Sequence, residues 1–292
     1  MKNTRSGITI NPITLAINKK RAQRWIRTGE KLLAQGSSEE ALACLKKAIH
    51  IHARANKAHL LMASALMPGS NYLEILSSFH RHMQPKSYVE IGIGVGNSLT
   101  LVNPETKAVA IDPSPNILNP IRARAKIYPV TSDDFFKRYN LFQELGTDSI
   151  DLVFIDGLHI YEQIFKDFIN IEKYSDKKTV VLIHDCLPVN RSVAARSSTS
   201  RFWCGDVWKI IPCLSKYRPD LNIRIIPTPP SGLGMITSLD SGSRILAENF
   251  DRITAEYHDK ELDYDYLDKE RIFMNTDNLV HNDWEEVSKA LI

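Results

Sequence analysis

Five short apolar runs, each closing on polar or acidic residues, limit what this chain can fold into more than any other feature. They are "SYVEIGI" (87–93), "AVAID" (108–112), "IDLVFID" (150–156), "TVVLIHD" (179–185) and "IRIIPT" (223–228). Runs this short and this continuously apolar suit strands covered on both faces. Helices are expected between them, at 96–104, 115–126, 133–145 and 160–174. The alternation predicts an α/β fold: a Rossmann-like, mostly parallel sheet with helices on both faces. Ligands of such sheets bind beyond the carboxyl ends of the strands, near a topological switch point. The polar strand ends are therefore the first candidates: Glu90–Gly96, Asp112, Ser132–Asp134, Asp156–His159 and His184–Asp185.

The chain of 292 residues is 43% apolar, enough for one large core with an appendage. Formal net charge is only +3, which argues against a dedicated nucleic-acid binder. Lys19, Lys20, Arg21, Arg24 and Arg27 cluster near the N-terminus and read as a solvated helix face. No run approaches the roughly 20 apolar residues of a membrane span, and the N-terminus lacks a signal-peptide core. Cys44, Cys186, Cys204 and Cys213 are scattered, unlike a disulfide framework or a zinc site. A cytoplasmic protein with no membrane partner is the expectation.

Residues 1–18 carry no periodic signal and are expected to be a flexible arm. Helical pattern begins at Ala22, breaks at Gly36-Ser37-Ser38 and resumes with Ser37 or Ser38 as cap. Leu42, Leu45 and Ile49 form one apolar stripe. A third helix is expected from Asn56 to Leu66, ended by Pro68-Gly69. Trp25, Gly29, Gly36, Ala41, Leu45 and Ala48 make residues 19–70 resemble a tetratricopeptide repeat, with departures at Thr28, Leu32 and Ala53. So few repeats cannot bury their own faces. The resemblance implies docking on the domain of 71–242, on a second copy in a homo-oligomer, or on a protein partner. Residues 243–292 are charged and tyrosine-rich, with a terminal helix capped by Asn282 or Asp283 and no evident chemistry.

"VEIGIGVGNSL" (89–99) admits three ligands. A P-loop needs a lysine after its last glycine, and Asn97-Ser98 stand there instead. A dinucleotide turn needs G-x-G-x-x-G. Gly92 and Gly94 fit, but Asn97 occupies the third place and Gly96 comes one residue early. In the third reading, E-x-G-x-G-x-G resembles the first motif of class I methyltransferases, which bind S-adenosyl-L-methionine. That cofactor is cationic and lacks a pyrophosphate, so nearby carboxylates are useful. Glu90 precedes the glycines. Asp112 ends the next strand, where a carboxylate accepts hydrogen bonds from ribose hydroxyls; NAD enzymes share that feature. By the resemblance, Asp133 or Asp134 lies near the adenine amino group. Asp134 also reads as a helix N-terminal charge.

"FIDGLHIYE" (154–162) and the strand end His184-Asp185 place Asp156, His159, His184 and Asp185 at neighbouring strand tips. They resemble a methyltransferase subfamily with F-I-D-G-x-H-x-Y-E followed by H-D, and the likeness extends into "RFWCGDVWKIIPCL" and "GLGMI". Related small-molecule O-methyltransferases hold magnesium on two strand-end carboxylates and a third acid or amide. Asp156 and Asp185 match the pair, but the third place is Cys186, a poor ligand for a hard cation. Methyl transfer needs alignment and, for a hydroxyl acceptor, a base. His159 and His184 are the candidates, with Asp185 beside them; their bland alternative is a histidine that only bonds backbone. His50, His52, His59, His80 and His82 read as surface or packing residues. Arg201, Phe202, Trp203, Asp206 and Trp208 form a candidate acceptor-side lid, with aromatic packing and an Asp206 cap as the alternatives.

The resulting expectation is a methyltransferase using S-adenosyl-L-methionine, with Mg2+ as a candidate second cofactor. Its acceptor would be a small molecule, a sugar or secondary metabolite methylated on oxygen. The alternatives are a non-catalytic partner-binding module on the same fold, or an NAD-dependent oxidoreductase.

Overall fold

Asn11 sets where the first helix begins. Its Oδ1 accepts the Ile13 N–H at 2.9 Å, and Pro12 fills the first helical position, where no N–H is needed. Helix α1 therefore runs Pro12–Ala34, and the flexible arm expected through residue 18 is corrected from residue 12 onward. The computed structural model describes residues 11–198, 201–262 and 278–291. Residues 263–277 of the charged C-terminal extension lie outside them.

The described chain divides into two units, one within 1–65 plus 199–202, the other within 66–198 plus 203–292. In the first, α1 pairs with α2 (Ser38–Ile51), and α3 spans Asn56–Leu66 as the sequence predicts. Ser37 takes the cap position of α2, but its side chain makes no capping bond. Gly29 is where α1 and α2 come closest: a Cβ there would lie 3.0 Å from Leu45 Cγ and 3.3 Å from the Ala41 carbonyl oxygen. Phe202 belongs to this unit, its N–H donating to Asn56 and its ring lying 5.9 Å from His59.

The second unit opens with α4 (Tyr72–Met83), held by a reciprocal capping box between Asn71 and Glu74. A seven-stranded sheet follows, in the order β3-β2-β1-β4-β5-β7-β6. The strands are β1 Ser87–Ile91, β2 Lys107–Ile111, β3 Arg124–Tyr128, β4 Leu152–Ile155, β5 Val180–His184, β6 Asn222–Ile226 and β7 Leu233–Thr237. All pairings are parallel except those of β7, which runs antiparallel to β5 and β6. The first five strands thus follow the doubly wound order, with the switch point between β1 and β4. The helices of this unit continue as α5 Ser132–Arg138, α6 Leu141–Leu145, α7 Tyr161–Glu172, α8 Ile210–Tyr217, α9 Ile245–Glu248, α10 Phe250–His258 and α11 Trp284–Lys289. Every residue of β1, β4 and β5 is buried. One face carries Tyr88, Ala108, Ala110, Leu152, Phe154, Val180 and Leu182, packed with Ile75, Leu76 and Phe79 of α4 and Val287 of α11.

Three expected helices differ from those observed. Over 96–104 only one 3-10 turn forms, Leu99–Leu101; Val102 is extended, and Pro104 keeps Asn103 out of helix. Over 115–126 there is no helix. Pro113, Pro115 and Pro120 remove donors, and the backbone bonds to the glycine turn instead, Asn116 N–H to Gly94 and Leu118 N–H to Val95. The segment ends in β3. Over 133–145 the helix splits where Tyr139 goes extended and Asn140 caps α6. Strand β7 overlaps "GLGMI" (232–236), runs one residue beyond it and is absent from the strands the sequence predicts. Asp283 caps α11 by accepting the Glu286 N–H, one of the two predicted caps.

No helix among the described residues is long and apolar enough to cross a membrane. Phe79 is fully buried and meets the Trp284 ring edge-on at 5.1 Å, joining α4 to α11. Phe79→Ala is expected to cost about 3–5 kcal/mol, read as a fall in the urea midpoint followed by tryptophan fluorescence.

Candidate functional site

The site is built from the carboxyl ends of β1, β2, β4 and β5. After β1 the chain turns through Gly92, Gly94 and Gly96, all with positive φ (92°, 51° and 82°). Gly92 has a second reason to lack a side chain: a Cβ would lie 2.0 Å from the Asp156 carbonyl oxygen. The turn is thereby seated directly on the tip of β4. Gly94 has open space where a Cβ would point.

Asp112, at the end of β2, organises this turn. Its Oδ2 accepts the N–H groups of Ile93 (2.8 Å) and Gly94 (2.9 Å), and its Oδ1 accepts that of Ser114 (2.7 Å). Glu90 is fully buried behind the turn. Tyr88 Oη donates to it at 2.7 Å and Ser98 Oγ at 2.6 Å. Burial pushes its carboxyl up to about 8; the two hydrogen bonds oppose the shift, and the charges of Asp156 and Asp112 add to it.

The other two predicted acids lie at the start of α5. Asp134 is committed locally, bonded with Thr131 across the cap and paired with Arg138 at 3.1 Å. Asp133 reaches α7 instead, 2.8 Å from Lys166 Nζ and 3.2 Å from Gln163 Nε2. Gln163 also donates to Asp167 at 3.0 Å. Asp167 was missed from sequence because it sits inside a helix. It is fully buried, its Oδ2 has no partner, and burial pushes its carboxyl up to about 7.

Asp156, His159, His184 and Asp185 come together as one cluster. Asp156 Oδ1 is 3.1 Å from His184 Nδ1 and 3.3 Å from His159 Nε2. His159 Nδ1 is 2.9 Å from the Trp203 carbonyl and 3.0 Å from Asp185 Oδ2. A ring N–H points in one direction, and here it goes to the carbonyl, so Asp185 Oδ2 stays buried without a hydrogen bond. Asp185 itself has φ 63°, an uncommon conformation for a residue with a side chain. Burial opposes charge on His159, yet Asp185 and Asp156 hold its imidazole up at about 11. His184 is raised for the same reasons. Burial likewise opposes ionising Asp156 and Asp185, but the two imidazoles hold both carboxyls below their ordinary range.

Several residues around the cluster were not singled out from sequence for this role. Ser231 is buried; its Oγ donates to Asp185 Oδ1 and lies 3.3 Å from His184 Nε2. The Tyr72 ring stands 4.2 Å from the His184 ring, and Trp203 stacks on His159 at 5.5 Å. Tyr72 precedes the sheet and Ser231 sits in a late loop, so no local motif marks either. Gly205 touches the backbone of His159, where a Cβ would fall 1.7 Å from its carbonyl oxygen. In the expected lid, Asp206 caps α7 by accepting the Tyr161 N–H at 2.7 Å, and it pairs with Arg196 and Lys209, both at 3.0 Å. Trp208 is half-buried on a 3-10 turn.

For a cation, Asp156, His184 and Asp185 each offer one ligand atom, all within 4.8 Å of one another. Cys186 turns away, its thiol donating to the Ile183 carbonyl at 3.3 Å. His184 therefore stands where the sequence offered Cys186. Two carboxylates, one of them with an unpartnered buried oxygen, and an imidazole that would give up its proton on ligation fit a divalent cation.

Glu90 generates a pH prediction. Its folded-state pKa is raised, so the protonated form stabilises the fold fully below the unfolded value near 4.5, and that contribution is lost as pH rises through about 8. Urea midpoints of the ligand-free protein should fall over this window, by an amount worth a few kcal/mol. Glu90→Gln should flatten this part of the curve and leave the Asp167 part, which ends near 7.

Residues 89–186 match the model of a methyltransferase domain. No curated protein sequence matches the chain. Among solved structures, the O-methyltransferase TomG from Streptomyces achromogenes, in complex with SAM, is 16% identical with a TM-score of 0.44, over 62% of this chain and 90% of that one. The SAH-bound methyltransferase PaMTH1 from Podospora anserina is 14% identical with a TM-score of 0.43, over 62% and 86%. The O-methyltransferase from Bacillus cereus, in complex with SAH, is 14% identical with a TM-score of 0.41, over 67% and 90%. The glycine turn, Asp112 and the four-residue cluster all lie within the stretch matched as a methyltransferase domain.

Proposed function

We propose that this chain transfers a methyl group from S-adenosyl-L-methionine to an oxygen of a small molecule, a sugar or secondary metabolite. One observation carries the cofactor assignment. The Ile93 and Gly94 amides, which a pyrophosphate would need, already bond Asp112 Oδ2. A carboxylate there repels phosphate and attracts a cation. A strand-end carboxylate alone is a feature NAD enzymes share; together with Asn97 in the place of the third dinucleotide glycine, the occupied amides disfavour NAD. The acid-and-imidazole cluster beside the turn favours an enzyme over a binding module that has lost its chemistry.

In this reading Gly94 leaves room for the cofactor beside the turn, and Gly92 and Gly96 shape the loop around it. Asp112 has lone pairs left for the ribose hydroxyls. Asp133 or Asp134 serves the adenine amino group; both already have partners, Asp133 in Lys166 and Asp134 in Arg138. Asp156 supplies negative potential for the ammonium and sulfonium, and Glu90, protonated in the free site, would add to it by ionising as the cation binds. His159 and His184 are the residues assigned to the acceptor's proton. His159 is the more exposed, 24% against 8%; its Nδ1 is fixed on the Trp203 carbonyl and its Nε2 faces Asp156, so the ring takes up the acceptor's proton at Nε2 only after giving its own to solvent, a loss that a cation on the carboxylates would favour. Asp185 orients both rings. A divalent cation on Asp156, His184 and Asp185 would supply charge neutralisation and acidify a bound hydroxyl. The protein's own share is alignment of donor and acceptor, which accounts for much of the rate in a displacement at carbon.

The first unit keeps its tetratricopeptide-like reading as a docking element for a second copy or a protein partner. Support comes from the close approach at Gly29 and from Lys47 lying over the Trp25 ring at 4.7 Å.

The test is parallel calorimetry with S-adenosylhomocysteine and NAD. S-adenosylhomocysteine should bind and NAD should not, and Asp112→Ala should weaken the former at least about tenfold, or ~1.4 kcal/mol. Binding of NAD alone would contradict the proposal.

A further inference from the structure

The long first helix carries a surface that the reaction does not use. Ile13, Ile17, Lys20, Arg24, Arg27 and Lys31 follow one another at steps of four and three residues, which places them in a single line along α1. All six are exposed, Ile13 at 69% and Ile17 at 51%. The buried residues of α1, Ala22, Ile26 and Gly29, lie on the opposite side of the cylinder. The line is about 27 Å long at the rise of an α-helix. Lys19 and Arg21 flank it.

The charge is uncompensated. No acidic residue occurs from 11 to 29, and Glu30 is taken by Lys57 at 2.8 Å. Among the described residues, none of Lys20, Arg21, Arg24, Arg27 and Lys31 has an ion-pair partner. A solvated face usually intersperses the two signs along its length; this one does not.

The composition of the line selects among anionic partners. A nucleic-acid backbone would satisfy the cations but leave the two isoleucines without apolar contact, and no aromatic side chain stands in the line to stack on bases. The surface is a convex ridge rather than a groove, so it suits a broad, flat partner. A bilayer rich in anionic lipid offers phosphates for the cations and hydrocarbon for the isoleucines in one plane. We infer that α1 docks this protein on an anionic membrane surface, the cations on headgroups and Ile13 and Ile17 in the interface. This revises the sequence expectation of no membrane partner, which weighed only a spanning segment or a leader. The helix here lies on the bilayer and does not cross it.

The experiment is co-sedimentation of the full chain with phosphatidylcholine vesicles, with and without about one-third phosphatidylglycerol, at about 0.1 M and 0.5 M salt. Binding to the anionic vesicles should exceed binding to neutral ones at least about tenfold at the lower salt and fall steeply at the higher. Arg24→Glu with Arg27→Glu should abolish the preference, and Ile13→Asp with Ile17→Asp should weaken binding at both salts. Circular dichroism should be unchanged in both variants, since all four side chains are exposed. Equal binding to both vesicle types, or a preference that survives the charge reversal, would overturn the inference. So would retention by a duplex oligonucleotide or polyglutamate while the anionic vesicles sediment without the protein.

Discussion

The absence of a side chain at residue 92 fixes the rest of the site. Strand β1 can end beside β4 only because nothing projects from Gly92 into the Asp156 peptide, 2.0 Å from where a Cβ would be. The Asp156 N–H laces this junction by donating to the Ile91 carbonyl, and the Gly92 N–H ties the turn to β2 by donating to the Ile111 carbonyl, both at 2.8 Å. The glycine turn and the acid cluster therefore share a wall. A donor lying along the turn and an acceptor lying over Asp156 and Asp185 would meet at the switch point, where doubly wound sheets place their ligands.

The electrostatics divide in two. At the open end, Asp156 and Asp185 stay ionised because two imidazoles face them, a near-neutral arrangement in which each charge has a partner. Behind it, Glu90 and Asp167 have no cation, and burial keeps their protons on. A cationic ligand entering the site would find one set of carboxylates already charged and a second able to become so. Asp112 is different again: it spends its charge on three backbone amides, and so gives the turn its shape.

Much of this could be read from the sequence, for identifiable reasons. The buried strands were legible because both faces demand apolar residues, and the acids at their tips because little else in those runs is polar. Asp156, His159, His184 and Asp185 were legible as neighbours because parallel strands align their ends. Helix extents were less so. The 115–126 stretch has helical spacing, but Pro113, Pro115 and Pro120 spoil its hydrogen bonds, and those prolines were underweighted. The start of α1 was hidden because its apolar residues, Ile13, Leu15 and Ile17, are exposed and give no core-facing period. Ser231 and Tyr72 reach the cluster from distant parts of the chain, and one sequence carries no signal of such contacts; Trp203 was legible only as a candidate for the acceptor-side lid. His184 as a cation donor is not legible because the family-like spacing points to the residue after Asp185, Cys186, which turns into the core.

The central claim is that a sulfonium cofactor lies between the glycine turn and Asp112, with its sulfur toward the Asp156–Asp185 cluster. The most direct measurement is a crystal structure of the complex with S-adenosylhomocysteine. The account predicts difference density for the ribose against Asp112, the amino acid end along Gly92–Gly96 and the sulfur facing Asp156. Density placing the nucleoside elsewhere on the protein, or a ribose that leaves Asp112 bonded only to backbone, would contradict it.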